Sequence, residues 1–185
     1  MAAPWRPTRE QVAAAEGRTI PDVLEPGLDV VFCGVNPSLY SGAVGHHFAR
    51  PGNRFWKALH QAAFTDRVLS PFEDGLLPRF GVGLTNLVER STAGAADLSA
   101  AELRAGAVRL GSKMERFRPR LVAVLGVEAY RAAFGLRTAT VGRQAEPIGG
   151  AAAWVLPNPS GRNASYQLPD LVRCFEDLRR AMGAR

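Results

Sequence analysis

The sequence predicts an α/β fold: a single three-layer domain over residues 1–185, in which a central, mostly parallel β-sheet is flanked by helices. Three observations lead to this class. Short apolar runs are continuous rather than alternating, which is typical of strands that are buried on both faces. The longer segments between these runs carry the three- and four-residue apolar spacing of amphipathic helices. The two patterns alternate along the chain, and this alternation favours parallel strands connected by helices.

The first part of the chain is expected to form a helix, a strand and a second helix. A capping-box pattern that begins at Thr8 predicts the first helix, although residues 1–20 as a whole are expected to be loosely attached. The apolar run 28–35 predicts the first buried strand. A polar cap at Asn53 predicts a helix over residues 54–64, with apolar side chains on one face.

The remaining elements repeat this alternation. Ser99 and Glu102 form a second capping box, and Pro119 ends the amphipathic helix that follows them. A short helix is expected to end near Phe134, and Pro169 is expected to open the last helix, where proline is well tolerated. Further strands are expected at residues 81–88, 121–126, part of 138–148, and 152–156.

Composition and charge narrow the class of function. The net charge is +6 and the pI is near 10.1, which favours a polyanionic partner such as nucleic acid. The chain has neither an apolar run long enough for a membrane span nor a secretory signal at its N-terminus, so a cytoplasmic protein is expected. Cys33 and Cys174 are expected to be buried core residues, and two cysteines are too few for a four-thiolate iron–sulfur cluster.

Two Asn-Pro pairs are the strongest functional signal. Asn36-Pro37 and Asn158-Pro159 each follow a predicted strand directly. The carboxyl ends of parallel strands lie at one edge of a sheet, where ligands bind, so the two turns are predicted to face one cleft. An amide is a poor general base, but it can position a water molecule and stabilise a charged transition state. The alternative is that Asn36 only completes a turn through its own side chain.

The loop after the first Asn-Pro pair, residues 37–52, is long for a compact domain, and such loops are usually functional or mobile. It contains His46 and His47, but adjacent histidines rarely bind the same metal ion, and no further histidine or cysteine lies at a spacing that favours a metal site. The two histidines are expected to pack a ligand or to contact phosphate. Phe48 is either a local core residue or a platform on which a base stacks. Arg162, in the later loop, is either solvated, or it enters a DNA stack or binds phosphate.

Four blocks of sequence, in this order, resemble the mismatch-specific uracil/thymine-DNA glycosylases, in the bacterial branch of the uracil-DNA glycosylase superfamily. The blocks are residues 30–37, 45–57, 85–90 and 154–161. The resemblance implies a monofunctional glycosylase of base excision repair, which flips uracil, thymine or another modified pyrimidine out of a mismatch such as G·U. It would hydrolyse the N-glycosidic bond and leave an abasic site. The alternatives are a lesion-binding protein with the same fold but no turnover, and a small-molecule α/β enzyme.

The resemblance also implies roles for individual residues. Asn36 would position the attacking water. Asn86 stands at a position that varies in the family, and our own hypothesis is that it acts in catalysis as a second polar group near the sugar or base. Ser38 stands where the bacterial prototype has glycine, so uracil is expected to be a better substrate than thymine. The base pocket would be formed by Val35, Pro37, Ser38 and Phe48. The wedge that replaces the extruded base would be formed by Asn158, Ser160, Gly161, Arg162, Asn163 and Ser165. Phosphate contacts would come from His46, His47 and Arg50.

The expected partner is double-stranded DNA that carries uracil or a mismatched base, with single-stranded DNA as a second candidate. The protein is expected to act as a monomer at the nucleoid. No metal and no cofactor are expected, and the chain lacks the glycine-rich motifs of nucleotide binding. No lysine lies near either Asn-Pro pair, which predicts that no Schiff base forms and that the DNA strand is not cleaved.

Overall fold

The structure is a computed structural model in which residues 5–183 are described. Its central strands are β1 (Val30–Gly34), β2 (Val82–Asn86), β3 (Leu121–Leu125), β4 (Gly142–Arg143) and β5 (Ala152–Leu156). They form one sheet in the order β2-β1-β3-β5-β4. All neighbouring strands are parallel except β4, which pairs antiparallel with β5. The predicted α/β fold is therefore confirmed, and each strand lies within the range expected for it.

Helices cover both faces of this sheet. The α-helices are α1 (Arg9–Ala13), α2 (Leu39–Val44), α3 (Phe55–Gln61), α4 (Ala100–Phe117), α5 (Val127–Phe134) and α6 (Leu168–Met182), with 3₁₀ segments at Pro71–Phe80 and Ala95–Asp97. One face packs on α3 and α6, in a cluster that includes Phe32, Phe55 and Phe175. The other face packs on α4 and α5, through residues such as Leu110 and Tyr130. The sheet is therefore the middle of three layers, as predicted.

The loop predicted over residues 37–52 contains a helix, α2, that the sequence does not predict. Its first turn is capped because Ser41 donates its backbone N–H to Ser38 Oγ at 3.1 Å. A helix of six residues that includes a glycine and a serine is too short to show an apolar period. The expected length of the loop was therefore wrong, whereas its position beside the first Asn-Pro pair was right.

The helix predicted over residues 54–64 is shorter in the structure. It begins at Phe55 as α3, and Arg54 rather than Asn53 occupies its N-cap position. Asn53 still satisfies the first turn, because its Oδ1 accepts a hydrogen bond from the Phe55 N–H at 2.9 Å. The capping residue was thus recognised, but its position was wrong by one residue.

The two cysteines lie in different surroundings, and both are free thiols. Cys33 on β1 is completely buried, and burial raises the pKa of its thiol. Cys174 on α6 is only half-buried, so it is less buried than predicted, although it packs against the core cluster on that face of the sheet. Over residues 5–183, no helix combines the length and the apolar character that crossing a bilayer requires.

The N-terminal segment is attached more firmly than we expected. Thr8 caps α1 as predicted. Ala15 is fully buried, and its carbonyl accepts a hydrogen bond from the hydroxyl of Ser91. Since this contact ties the segment to the chain just after β2, the loose attachment expected for residues 1–20 does not describe the part from Thr8 onward. Residues 1–4 lie outside the described part of the chain.

Candidate active site

A cleft of about 330 Å³ opens at the carboxyl edge of the sheet. Gly34 and Asn86 are register partners at the ends of β1 and β2, and both Asn-Pro turns begin just beyond this edge. The two turns therefore face one cleft, as the sequence predicts. The predicted site residues that line it are Val35, Asn36, Pro37, Ser38, His47, Phe48, Arg50, Asn86, Asn158, Ser160, Arg162 and Asn163. Gly161 lines a smaller pocket beside the cleft.

The Asn36 side chain is held in one orientation by two hydrogen bonds. Its Nδ2 donates to Thr92 Oγ1 at 2.7 Å and to the Arg90 carbonyl at 3.1 Å. A carbonyl only accepts, so the nitrogen of the amide is identified by its partners. Within residues 5–183 no donor contacts Asn36 Oδ1, and this oxygen belongs to a residue that lines the cleft. The amide therefore offers an acceptor to a molecule in the cleft.

The segment that holds Asn36 is itself fixed. Thr92 is 2% exposed, and its hydroxyl donates to the Gly94 carbonyl at 2.8 Å, which leaves its oxygen free to accept from Asn36. The backbone of Thr92 also pairs with the turn, donating to the Pro37 carbonyl at 3.2 Å and accepting from Leu39 at 3.1 Å. Thr92 was not among the predicted site residues, because nothing in its local sequence indicates a contact with a turn so far away in the chain.

Phe48 forms one wall of the cleft. Its ring stacks on Phe55 with centroids 4.2 Å apart, and the residue is half-buried. The backbone of Phe48 is in the left-handed region, with φ of 51°, which is uncommon for a bulky residue. A Cβ at Gly34 would lie 3.2 Å from the Phe48 ring and 2.5 Å from Asn86 Oδ1. Only glycine therefore allows the ring and the amide to approach this closely at the base of the cleft.

His47 supports Asn86 from behind. Its side chain is 1% exposed, and its Nε2 lies 2.8 Å from the Pro21 carbonyl. Burial lowers the pKa of His47 below its ordinary value of 6.5, so the ring is neutral at pH 7 and Nε2 carries the proton. Nδ1 then accepts from Asn86 Nδ2 at 3.4 Å. The predicted phosphate contact of His47 is therefore wrong: the ring is committed inside the protein.

His46 and Arg50 have different places in the same loop. His46 Nδ1 lies 3.0 Å from Asp74 Oδ1, and the buried Asp74 carboxylate also accepts from the His47 backbone N–H at 3.3 Å. His46 does not line the cleft, and it fastens the loop that carries Phe48. Arg50 is exposed and lines the cleft, so a phosphate contact by Arg50 stays a prediction.

The second Asn-Pro turn begins a compact segment that we call the wedge loop, residues 158–166. Asn158 Oδ1 accepts from the Ser160 N–H at 2.9 Å, and Asn163 donates to the Asn158 carbonyl at 2.9 Å. These side chains fold the loop onto itself. Gly161 and Arg162 are exposed at its tip, and Arg162 Nη1 reaches across the cleft to the Ala93 carbonyl at 3.1 Å. Ser165 is exposed and donates its N–H to Asn163 Oδ1.

Residues 5–183 contain no cluster of three or more histidine, cysteine or acidic side chains placed to hold a metal ion. The polar groups at the base of the cleft are instead neutral amides, supported by a neutral imidazole. Such groups can orient a ligand through hydrogen bonds, and among the residues that the structure describes no carboxylate or other strong base lines the cleft.

Comparison with known proteins identifies the family to which the chain belongs. Residues 21–179 match the family model of the uracil DNA glycosylase superfamily. The fold is similar to the solution NMR structure of a candidate uracil DNA glycosylase from Methanosarcina acetivorans, with a TM-score of 0.55 and 19% sequence identity, over 88% of this chain and 98% of that chain. At this identity the structural likeness supports the fold alone, whereas the family match extends over most of the sequence. The chain therefore belongs to the uracil DNA glycosylase superfamily.

Proposed function

We propose that this protein is a monofunctional DNA glycosylase of the mismatch-specific branch, which excises uracil from duplex DNA, prefers G·U pairs and leaves an abasic site. The observation that carries the proposal is the orientation of Asn36. Two acceptors hold its amide nitrogen, and its Oδ1 remains available at the cleft. Family membership supplies the class of reaction, and the geometry of the cleft supports the role of each residue.

The role of Asn36 is to hold the attacking water. Hydrolysis breaks the bond between C1′ of the sugar and N1 of the base while positive charge develops on the sugar. Asn36 Oδ1 accepts a hydrogen bond from one O–H of the water and so directs an oxygen lone pair at C1′. The water supplies OH to C1′ and H to the departing uracil, so the overall reaction is balanced. Because the leaving base is an anion, the amide need not remove the proton itself.

The role of Phe48 and Asn86 is to bind the extruded base. The face of Phe48 that Phe55 does not cover is a stacking surface for a planar ring. An amide both donates and accepts, which complements the alternating N–H and carbonyl groups on the edge of uracil. His47 fixes the orientation of Asn86 by accepting at Nδ1. Ser38 borders the same cleft, and its side chain favours uracil over the larger thymine.

The wedge loop and the surrounding charge suit duplex DNA. Extruding a base leaves a gap in the stack, and the exposed tip formed by Gly161 and Arg162 is placed beside the cleft to fill it. Arg50 stands at the same opening as a cation for the DNA backbone. The net charge of +6 attracts the polyanionic DNA backbone. On this proposal the protein acts as a monomer at the nucleoid in the cytoplasm. Single-stranded uracil DNA is expected to be a weaker substrate, because it has no opposite strand for the wedge loop to contact.

The lysines of the chain support a monofunctional mechanism. Lys113 is bound to Asp22 at 2.7 Å and to Glu89 at 3.1 Å. Lys57 is exposed on α3, and neither lysine lines the cleft. Since a Schiff base requires an amine that reaches C1′, sodium borohydride is expected to trap no covalent complex with DNA. A trapped complex would contradict this part of the proposal.

The experiment that tests the proposed function is single-turnover base release from duplexes with G·U, A·U and G·T pairs and from single-stranded uracil DNA. Alkali cleaves the abasic product, so each substrate gives a strand-cleavage signal. Release is expected to be fastest from G·U and slower from G·T. Tight, salt-dependent DNA binding with no release from any uracil substrate would instead identify a lesion-binding protein. If the protein shows no salt-dependent affinity for DNA, both the glycosylase and the lesion-binding protein are excluded.

A further inference from the structure

Arg54 lies between the two loops that form the cleft. It is the N-cap residue of α3, directly before Phe55, which supports the Phe48 ring. Its own backbone N–H donates to the Pro159 carbonyl at 3.1 Å. One residue therefore connects the support of the proposed base platform to the start of the wedge loop.

The guanidinium of Arg54 extends this connection along the whole wedge loop. The acceptors are the carbonyls of Pro159 at 3.3 Å, Ser160 at 2.5 Å, Asn163 at 3.0 Å and Tyr166 at 2.5 Å. All of them are backbone oxygens, and within residues 5–183 Arg54 contacts no carboxylate. Four carbonyl dipoles that point at one place repel each other unless a cation lies between them, so the charge and the fork geometry both stabilise this loop conformation.

We infer that Arg54 is a positioning residue that sets the wedge loop against the base pocket, so that extrusion of a base from duplex DNA depends on its guanidinium. The expected effect on base extrusion rests on the proposed function, whereas the contacts between Arg54 and the wedge loop do not. The alternative role for the Arg54 guanidinium, a direct contact with a DNA phosphate, fits the structure less well. Four of its five N–H donors are already used on the wedge loop.

Lysine is the informative substitution at this position. Arg54→Lys keeps the positive charge but has three donors on a single nitrogen, which cannot span carbonyls from Pro159 to Tyr166. A matched control is Arg131→Lys on α5. Arg131 Nε also donates to a backbone carbonyl, that of Ala139 at 2.9 Å, but it lies outside the cleft. Arg54→Gln, which keeps a planar donor and removes the charge, is the second variant.

Hydrogen exchange of the free protein tests the positioning role without DNA. Amide exchange within residues 158–166 is expected to be about tenfold faster in Arg54→Lys, with exchange in β1 and α4 unchanged. Arg131→Lys is expected to leave the wedge loop unchanged. If Arg54→Lys or Arg54→Gln lowers the midpoint of thermal unfolding, the location of the faster amide exchange still tests the inference. Faster exchange confined to the wedge loop supports the inference, and faster exchange spread over the sheet overturns it.

Single-turnover excision from a G·U duplex tests the consequence. Arg54→Lys is expected to lose about 10- to 100-fold in rate, because a displacement of about 1 Å has an effect of this size. Its affinity for undamaged duplex is expected to stay near that of wild type, since the charge is kept. An Arg54→Lys variant with wild-type exchange and wild-type excision would overturn the inference. Absence of excision in wild type would instead sink the proposed function, while the exchange experiment would still test Arg54.

Discussion

The two Asn-Pro turns are alike in sequence and different in how they are held. Asn36 uses its amide nitrogen on Thr92 and on the Arg90 carbonyl, which belong to a different part of the chain. Asn158 uses its Oδ1 on Ser160, two residues further along, and so stabilises its own loop. The first turn thus keeps a side-chain oxygen for the cleft, whereas the second turn has already used it.

This difference separates two tasks within one cleft. The first turn is fixed to buried segments, and the proposed role of Asn36 in holding a water molecule requires such a fixed position. The second turn leads into an exposed tip that the Arg54 guanidinium holds from beneath. We therefore assign bond cleavage to the first turn and the handling of the DNA duplex to the second.

The largest effect is expected at Asn36. Asn36→Ala removes the acceptor for the attacking water, and the single-turnover rate on G·U duplex is expected to fall by about 10²–10³-fold. Asn158→Ala is the matched control, because it changes the same residue type in the same dipeptide. Its rate is expected to fall far less, since only a turn is weakened. Equal losses in the two variants would contradict the division of tasks.

A smaller effect is expected at Thr92, the acceptor that orients Asn36. Thr92→Val preserves shape and removes the hydroxyl, and its rate is expected to fall about tenfold because the amide of Asn36 is then held by one bond. Thr92→Ser restores the hydroxyl and is expected to recover most of the rate. Thr65→Val is the control, since it removes another buried hydroxyl outside the cleft. Failure of serine to rescue would show that packing rather than the hydrogen bond matters.

Asn86→Ala is expected to weaken base binding by about 3- to 10-fold, the value of one neutral hydrogen bond. The loss should appear in the enzyme concentration that gives half-maximal single-turnover rate, with a smaller change in the maximal rate. If Asn86→Ala keeps both parameters of wild type, Asn86 has no role in binding the base.

The pH dependence reflects the neutral state of His47. Its folded-state pKa lies below the unfolded value near 6.5, so the unfolded chain binds more protons and the free energy of unfolding decreases as pH falls below that value. Protonation would also take Nδ1 from Asn86. Denaturant unfolding of wild type and His47→Gln between pH 7.5 and 5.5 measures this contribution, with a slope of at most about 1.4 kcal/mol per pH unit. A pH-independent difference between the two proteins would contradict it.

The sequence predicted features that depend on neighbouring residues, such as strands and turns, better than contacts between residues far apart in the chain. Apolar runs identified the four parallel strands β1, β2, β3 and β5, and the Asn-Pro pairs identified the edge at which the cleft lies. The antiparallel strand β4, Gly142–Arg143, has no apolar run, and only a broad range was predicted for it. Thr92 lies 56 residues from Asn36, and Arg54 lies 112 residues from Tyr166, so no local pattern reveals either contact. His47 was misread because a histidine in a polar loop resembles a surface residue until Pro21 and Asn86 are seen to enclose it.

The most direct test of the account measures base extrusion and base release in the same reaction. A 2-aminopurine placed beside uracil in a G·U duplex reports extrusion by stopped-flow fluorescence, and quenched samples report release. Asn36→Ala is expected to keep the fluorescence rise of wild type and to lose release. Arg162→Ala, at the tip of the wedge loop, is expected to slow the fluorescence rise by several-fold, with release following it. Loss of the fluorescence rise in Asn36→Ala, or an unchanged rise in Arg162→Ala, would contradict the separation of the two tasks.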